Sequence, residues 1–302
     1  MKNQIIGEDF LNYLESLSLY IKGPENGLFG GIHQTKTYGS SVEFADFKEY
    51  NLGDDIKKID WNLYARFEKY FLKLYVDEKQ MHIQIFLDVS ASMRFYESKK
   101  ECAIKALVTL GYLAINNMDK LTIHLLYGKH DIILGNKTIS HKDEFLEMVD
   151  KFNEIEFDGN TEIDTAITNI NNIGFGDGMS VIISDFLMDD SYKKAVDYLL
   201  YRHKEVMLVH IVSFEEISPS YGGRLVLLDS EIKDKSSNAH LRMKISKAEL
   251  EAYKMALHDY MDEIYNFATS RNVNYIQLNS DEPFEKVFLE KLEEGGIIKW
   301  NY

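Results

Sequence analysis

The sequence predicts an α/β fold: a doubly wound, mainly parallel sheet with helices on both faces, plus an N-terminal extension. Three observations predict it. Apolar runs of strand length recur from residue 81 to residue 278. Amphipathic helical stretches separate most of them, and parallel strands need such crossovers. The chain has 302 residues with 45% hydrophobic and 27% charged, enough to bury a sizeable core in one or two domains.

Residues 8–22 read as a helix, with Phe10, Leu14, Leu17 and Ile21 in register. Gly23 to Gly39 is glycine-rich and polar, and reads as loop. Residues 40–80 mix aromatic and acidic residues, and a strand is expected at Tyr70–Val76. Met81–Leu87 is the most strand-like run of the chain, followed by a helix at 98–117 with Ala103, Leu107, Leu110 and Ala114 on one face. Leu121–Tyr127 and Asp131–Leu134 read as strands of a hairpin across Gly128. A helix at 141–152 follows Ser140 as its N-cap, and another at 162–173 carries Ile163, Ile167 and Ile170 on one side. Met179–Ser184 is a strand, 191–203 a helix and Glu205–Val212 a strand. Arg224–Leu228 and Leu241–Ile245 form a hairpin insertion, placed near 222–245. Ser246 and Glu249 make a capping box that opens a long helix to Ser270. A strand at Val273–Leu278 and a helix at 283–293 complete the alternation. Two domains are expected, 1–79 and 80–302.

Composition excludes several classes. The net charge of −15 argues against nonspecific binding to nucleic acid or an anionic membrane, and leaves open a basic partner. Apolar stretches such as Val181–Ile183 and Val206–Val209 are far too short to cross a bilayer, so no membrane insertion is expected. No secretory signal is evident, and a cytoplasmic location is the simplest expectation. The single cysteine, Cys102, rules out an internal disulfide framework and a multi-cysteine zinc site. It lies among apolar residues and reads as an inert thiol. There is no Walker A sequence, and Gly174–Gly178 follows a helix and precedes a strand, the reverse of a phosphate loop. No Gly-x-Ser-x-Gly elbow occurs, and no catalytic residue is assigned.

The chemistry-bearing feature is Asp88-Val89-Ser90-Ala91-Ser92, directly after the strand Met81–Leu87. A carboxylate and two hydroxyls at alternate positions suit a hard divalent cation: Mg²⁺ first, with Mn²⁺ or Ca²⁺ as alternatives. Ligands of open α/β sheets bind beyond the carboxyl ends of the strands. Thr161 stands at a helix entrance, and Asp185 ends the strand Met179–Ser184, in the same kind of position as Asp88. The expected arrangement has Ser90, Ser92 and Thr161 as direct ligands, with Asp88 and Asp185 acting directly or through water. The competing reading is local capping, since Ser, Thr and Asp also serve as N-caps at such turns.

With Asp88, Ser90, Ser92, Thr161 and Asp185 in this order, the chain resembles the von Willebrand factor A domain and its metal-ion-dependent adhesion site. A second resemblance rests on Glu43, Asp46, Tyr50, Gly53-Asp54-Asp55, Ile59-Asp60-Trp61, Ala65-Arg66 and Glu78. These residues are similar to the signature of the family catalogued as domain of unknown function 58, which usually has Arg where Lys48 and Lys58 stand here. The resemblance implies that residues 1–79 carry this signature and that 80–302 form a von Willebrand factor A-like domain. It also implies an open metal position filled by a carboxylate of a partner: a client protein with an exposed Asp or Glu, handled beside a MoxR-type AAA+ ATPase in chaperone-like assembly or maturation. The alternatives are a Mg²⁺-dependent phosphoryl hydrolase and a structural subunit with a purely structural metal. For residues 43–66 two readings stand. In one, Asp54, Asp55 and Asp60 hold Arg66, Lys57 or Lys58 in a buried charge network while Trp61 fills a core gap. In the other, the block is a docking surface or a lid, with Glu43 or Asp46 taking the open metal position in an inhibited state.

Overall fold

The computed structural model describes residues 5–20, 36–37, 44–51, 54–76, 80–170, 173–174, 176, 178–187, 190–219, 223–228 and 240–294. The chain divides into two compact units, Gly30–Gln80 and the combination of Met1–Phe29 with Met81–Tyr302. Helix α1 (Glu8–Tyr20) therefore groups with the larger unit rather than with an N-terminal extension. The cause is its apolar stripe: Phe10 and Leu14 are buried in the larger unit's core, and the Tyr13 hydroxyl donates to the Glu285 carbonyl at 2.7 Å.

The smaller unit is a three-stranded antiparallel sheet, order β1-β3-β2, formed by β1 (Lys36–Thr37), β2 (Phe44–Glu49) and β3 (Phe71–Val76). Helix α2 (Trp61–Phe67) connects β2 to β3 after a 3-10 turn at Ile56–Lys58. Strand β3 matches the expected strand; β1 falls within the stretch expected to be loop. Most of that glycine-rich stretch lies outside the described residues.

In the larger unit the chain continues through β4 (His82–Asp88), α3 (Glu97–Asn116), β5 (Lys120–Tyr127), β6 (His130–Ile133), α4 (Lys142–Leu146), α5 (Val149–Asn153) and α6 (Ile163–Thr168). It then forms β7 (Met179–Ser184), α7 (Ser191–Tyr201), β8 (Glu205–Val212) and α8 (Phe214–Ile217). The hairpin β9 (Gly223–Leu228) and β10 (His240–Ile245), α9 (Lys247–Ser270), β11 (Asn274–Asn279) and α10 (Phe284–Glu294) follow. The central sheet has six strands in the order β11-β8-β7-β4-β5-β6. All its neighbours are parallel except β6, the antiparallel edge strand.

Alternation along the strands creates two cores, because successive side chains leave opposite faces. Ile83, Ile85 and Leu87 of β4 face a cluster with α1, α3, α4, α5 and α10. Phe86 of β4, Ile182 of β7 and Leu208 of β8 face a second cluster with α6, α7 and α9. Helices thus cover both faces, as a buried parallel sheet requires. No described helix is long and apolar enough to cross a membrane.

Two helices differ from the sequence expectation. The helix expected at 141–152 is two short ones, α4 and α5, and its N-cap is His141 rather than Ser140. Ser140 instead donates its backbone N–H to Glu144 at 3.2 Å. The helix expected at 162–173 stops at Thr168, where Asn169 turns its side-chain amide to the Lys129 carbonyl at 3.1 Å. Asparagine favours such local backbone bonding over helix continuation.

Candidate metal centre

Strands leave β4 in both directions: β5 and β6 on one side, then β7, β8 and β11 on the other. The chain reverses its winding between β4 and β7, and such switch points open a crevice at the carboxyl ends of the strands. Asp88 ends β4, and Asp185 follows Ser184 at the end of β7. Both carboxylates are fully buried.

The loop after β4 is shaped by its own hydrogen bonds. The Asp88 carboxylate accepts the Ser90 backbone N–H at 3.0 Å on Oδ1 and the Ser184 hydroxyl at 2.7 Å on Oδ2. This turn sets the Ser90 and Ser92 hydroxyl oxygens 3.0 Å apart. Ser90 is buried and Ser92 half-buried, so the pair opens outward on the Ser92 side. The Thr161 loop is laced to this turn by the Ala91 N–H to the Gly159 carbonyl and the Asp158 N–H to the Val89 carbonyl, each at 2.8 Å. Thr161 itself is bridged to Gly128 beyond β5 and donates its hydroxyl to the Leu126 carbonyl at 3.1 Å. It is close enough to Asp88 to act on its carboxyl.

Electrostatically the two buried acids act against each other. Burial first, and the charge of Asp185 second, push the Asp88 carboxyl above the ordinary carboxylate range. Hydrogen bonds from Ser184 and Ser90, with the nearby Thr161 hydroxyl, oppose that rise without overcoming it. Two buried carboxylates close enough to repel each other are stabilised by positive charge between or beside them.

The donor set fits a hard divalent ion. Oxygens on adjacent corners of a Mg²⁺ octahedron, with bonds of about 2.1 Å, lie about 3.0 Å apart, and the Ser90 and Ser92 oxygens have that spacing. Among the described residues no three His, Cys, Asp or Glu side chains gather as a metal cluster, so any such site here relies on hydroxyl oxygens. Asp185 has both oxygens engaged: Oδ1 accepts the Leu187 N–H at 3.1 Å and Oδ2 accepts the Lys99 ammonium at 2.6 Å. That arrangement suits an outer role through water rather than direct coordination.

Three residues of the centre escaped sequence reasoning. Ser184 donates to Asp88 and accepts the Phe186 N–H at 3.0 Å. It was visible as the hydroxyl that closes an otherwise apolar run before Asp185. Lys99 is fully buried and donates to Asp185 and, at 2.7 Å, to Glu216. Burial pulls the ammonium down, but Asp185 and Glu216 together hold it above the ordinary lysine value. Its signal was helical register, because Lys99 stands four residues before Ala103 on the buried stripe of α3. Glu216 closes the capping box with Ser213 at the start of α8.

The signature block lies in the smaller unit. Glu43, Gly53 and Glu78 are outside the described residues, as is the side chain of Asp46, whose backbone is in β2. Asp54 pairs with Lys48 at 3.1 Å. Asp55 caps the 3-10 turn by accepting the Lys57 N–H at 3.0 Å. Asp60 caps α2 and pairs with Lys73 at 3.0 Å, which together hold its carboxyl below the ordinary range. Lys48 and Lys73 are thus among the cations that meet these acids; the expectation named Arg66, Lys57 and Lys58, and the side chain of Lys58 lies outside the described residues. Trp61 does not fill a core gap: it is 59% exposed, at the first position of a seven-residue helix that buries none of its side chains. Tyr50 meets Tyr70 edge-on at 6.2 Å, and Arg66 lies exposed in the last turn of α2.

Residues 46–255 match the model of a family described as "Protein of unknown function DUF58". Uncharacterized proteins of Mycobacterium bovis and Mycobacterium tuberculosis are 23% identical over 222 residues, covering 72% of this chain and 70% of theirs. Among solved structures, proximal thread matrix protein 1 from the mussel byssus aligns with a TM-score of 0.41 at 10% identity. The alignment covers 74% of this chain and 47% of that one. That likeness is too low to carry an argument about fold or function.

Proposed function

We propose, from the premise that this chain belongs to the DUF58 family of proteins of unknown function, that it is a metal-dependent protein-binding module of the von Willebrand factor A-like type. The carrying observation is the hydrogen-bonded pair of Ser90 and Ser92 hydroxyls, 3.0 Å apart, in the turn that follows the buried Asp88 at the switch point of the sheet. Ser90, Ser92 and Thr161 would hold the cation, with Asp88 and Asp185 behind them. A bound divalent cation of the Mg²⁺ class supplies a Lewis-acidic position for a carboxylate from outside. Direct ligands that are neutral hydroxyls leave most of the cation's charge for that visitor.

The surroundings support a protein rather than a small molecule as visitor. Phe95, three residues after Ser92, is 66% exposed, and Phe214, at the start of α8, is 56% exposed. Leu187, two residues after Asp185, is 42% exposed. Apolar side chains placed this way suit an interface with an acidic anchor. Family resemblance adds a client with an exposed Asp or Glu and a MoxR-type AAA+ ATPase acting on it.

The test is calorimetric titration of Mg²⁺ and Mn²⁺ into the full chain, followed by capture of partners from native lysate with and without Mg²⁺. Wild type is expected to bind one divalent ion and to retain partners only with metal present. Asp88→Ala is expected to lose both while keeping a folded circular-dichroism spectrum. Partner retention undiminished in excess chelator sinks the proposal.

A further inference from the structure

We infer that Lys99 is a positioning residue of this centre, an internal counter-ion that holds Asp185 out of direct coordination and so keeps the cation receptive to an outside carboxylate. The inference rests on the function proposed above. Its own evidence is the geometry on the far side of Asp185. The Lys99 ammonium donates to Asp185 at 2.6 Å and to Glu216 at 2.7 Å, with Lys99 fully buried. Asp185 is almost fully buried and Glu216 is 14% exposed. A buried ammonium with two carboxylates in hydrogen-bond range is held in one place.

The partners extend the tie. Glu216 accepts the Ser213 N–H at 2.8 Å through its other oxygen, at the entrance of α8. Phe214, next in the chain, donates its N–H to Asp281 at 2.7 Å. Lys99 thus joins the ends of β7 and β8 through side chains, starting from the first turn of α3.

The charges decide what Lys99 does. Asp88, Asp185 and Glu216 carry three negative charges when ionised, and Lys99 carries one positive charge. Two negative charges remain, and one divalent cation balances them. With Lys99 in place, Asp185 is already half neutralised and both its oxygens are engaged. Without Lys99, Asp185 becomes a buried carboxylate whose best remaining counter-ion is the metal. It would move into direct contact, tightening metal binding and quenching the charge meant for a partner.

The experiment compares wild type, Lys99→Met and Lys99→Arg as full chains with Mn²⁺ alone as probe. It reads affinity by calorimetry and the rise of the melting temperature on adding Mn²⁺. Lys99→Met is expected to bind Mn²⁺ at least tenfold more tightly than wild type and to gain a larger melting-temperature rise; Lys99→Arg is expected to stay near wild type. If Lys99→Met fails to fold, Lys99→Met with Glu216→Gln removes one orphaned carboxylate and carries the same expectation. Equal or weaker Mn²⁺ binding in the methionine variants overturns the role of Lys99 and leaves the proposed function standing. A wild-type chain that takes up no Mn²⁺ overturns both.

Discussion

Ser184→Ala is the sharpest test of how the centre is held together. The hydroxyl is fully buried and has two bonds: it donates to Asp88 Oδ2 at 2.7 Å and accepts the Phe186 N–H at 3.0 Å. Its loss removes a hydrogen bond to a charged group, valued at about 1.5–3 kcal/mol, and leaves the Phe186 N–H without a partner in a dry site, at a cost of about 1 kcal/mol. The sum is about 3 kcal/mol, set against a single lost oxygen with little cavity cost. For a unit of this size that is a fall in melting temperature of roughly 6–12 °C. Urea titration at pH 7 without added metal, followed by tryptophan-independent far-ultraviolet dichroism, measures it; the midpoint falls and the slope is unchanged. The control is Thr109→Val. Thr109 is fully buried and its hydroxyl has no partner among the described residues. This change is expected to leave stability level or raise it by about 1 kcal/mol. A Ser184→Ala loss under about 1 kcal/mol would refute the reasoning that Asp88 depends on this donor.

Other outcomes follow from single contacts. Gly178 sits at φ +157°, and a Cβ there would lie 2.7 Å from the His82 backbone carbonyl; Gly178→Ala is expected to cost about 1–3 kcal/mol by prying β7 from β4, read by the same urea titration. Burial, followed by the charges of Lys204, His124 and Lys120, pushes His82 down to about 4, so the folded chain keeps it neutral where the unfolded chain charges it. Its stabilisation is complete above about pH 6.5 and is lost as pH falls toward 4. His82→Gln keeps a side chain able to reach Thr122 Oγ1, which the imidazole meets at 2.8 Å. It is expected to flatten the acid slope by about 1 kcal/mol between pH 6.5 and pH 4.5, the half-exposed ring allowing less than the full shift; identical slopes would contradict this. Burial pushes the Cys102 thiol up to about 12, so iodoacetamide at pH 8 is expected to label it only in denaturant, by mass spectrometry.

The positions of the two strand-end acids were easier to read than the roles of the signature block, for a physical reason. Asp88 and Asp185 were legible because each ends an apolar run, and the end of a buried parallel strand is a crevice whatever the neighbours are. The signature block had no periodic pattern to anchor it. Asp55 and Asp60 look like members of a charge network when read as charges. Asp55 turns out to cap a 3-10 turn, and Asp60 both caps α2 and pairs with Lys73; the capping role is set by backbone N–H groups that composition does not display. Trp61 looks like core by hydropathy and is 59% exposed, at the first position of a helix that buries none of its side chains.

By itself the sequence determined the alternation of strands and helices, the division of side chains between two faces, and the placing of acids at two strand ends. These are local properties: a period of two or of 3.6 residues is written in the next few residues. The tertiary structure alone decided that β7 lies beside β4, bringing Ser184 to Asp88 across 96 positions, and that Lys99 reaches Asp185 across 86. Such meetings depend on which strands pair and on how a helix rolls over them, and that is settled by packing summed over the whole core rather than by any one stretch of chain.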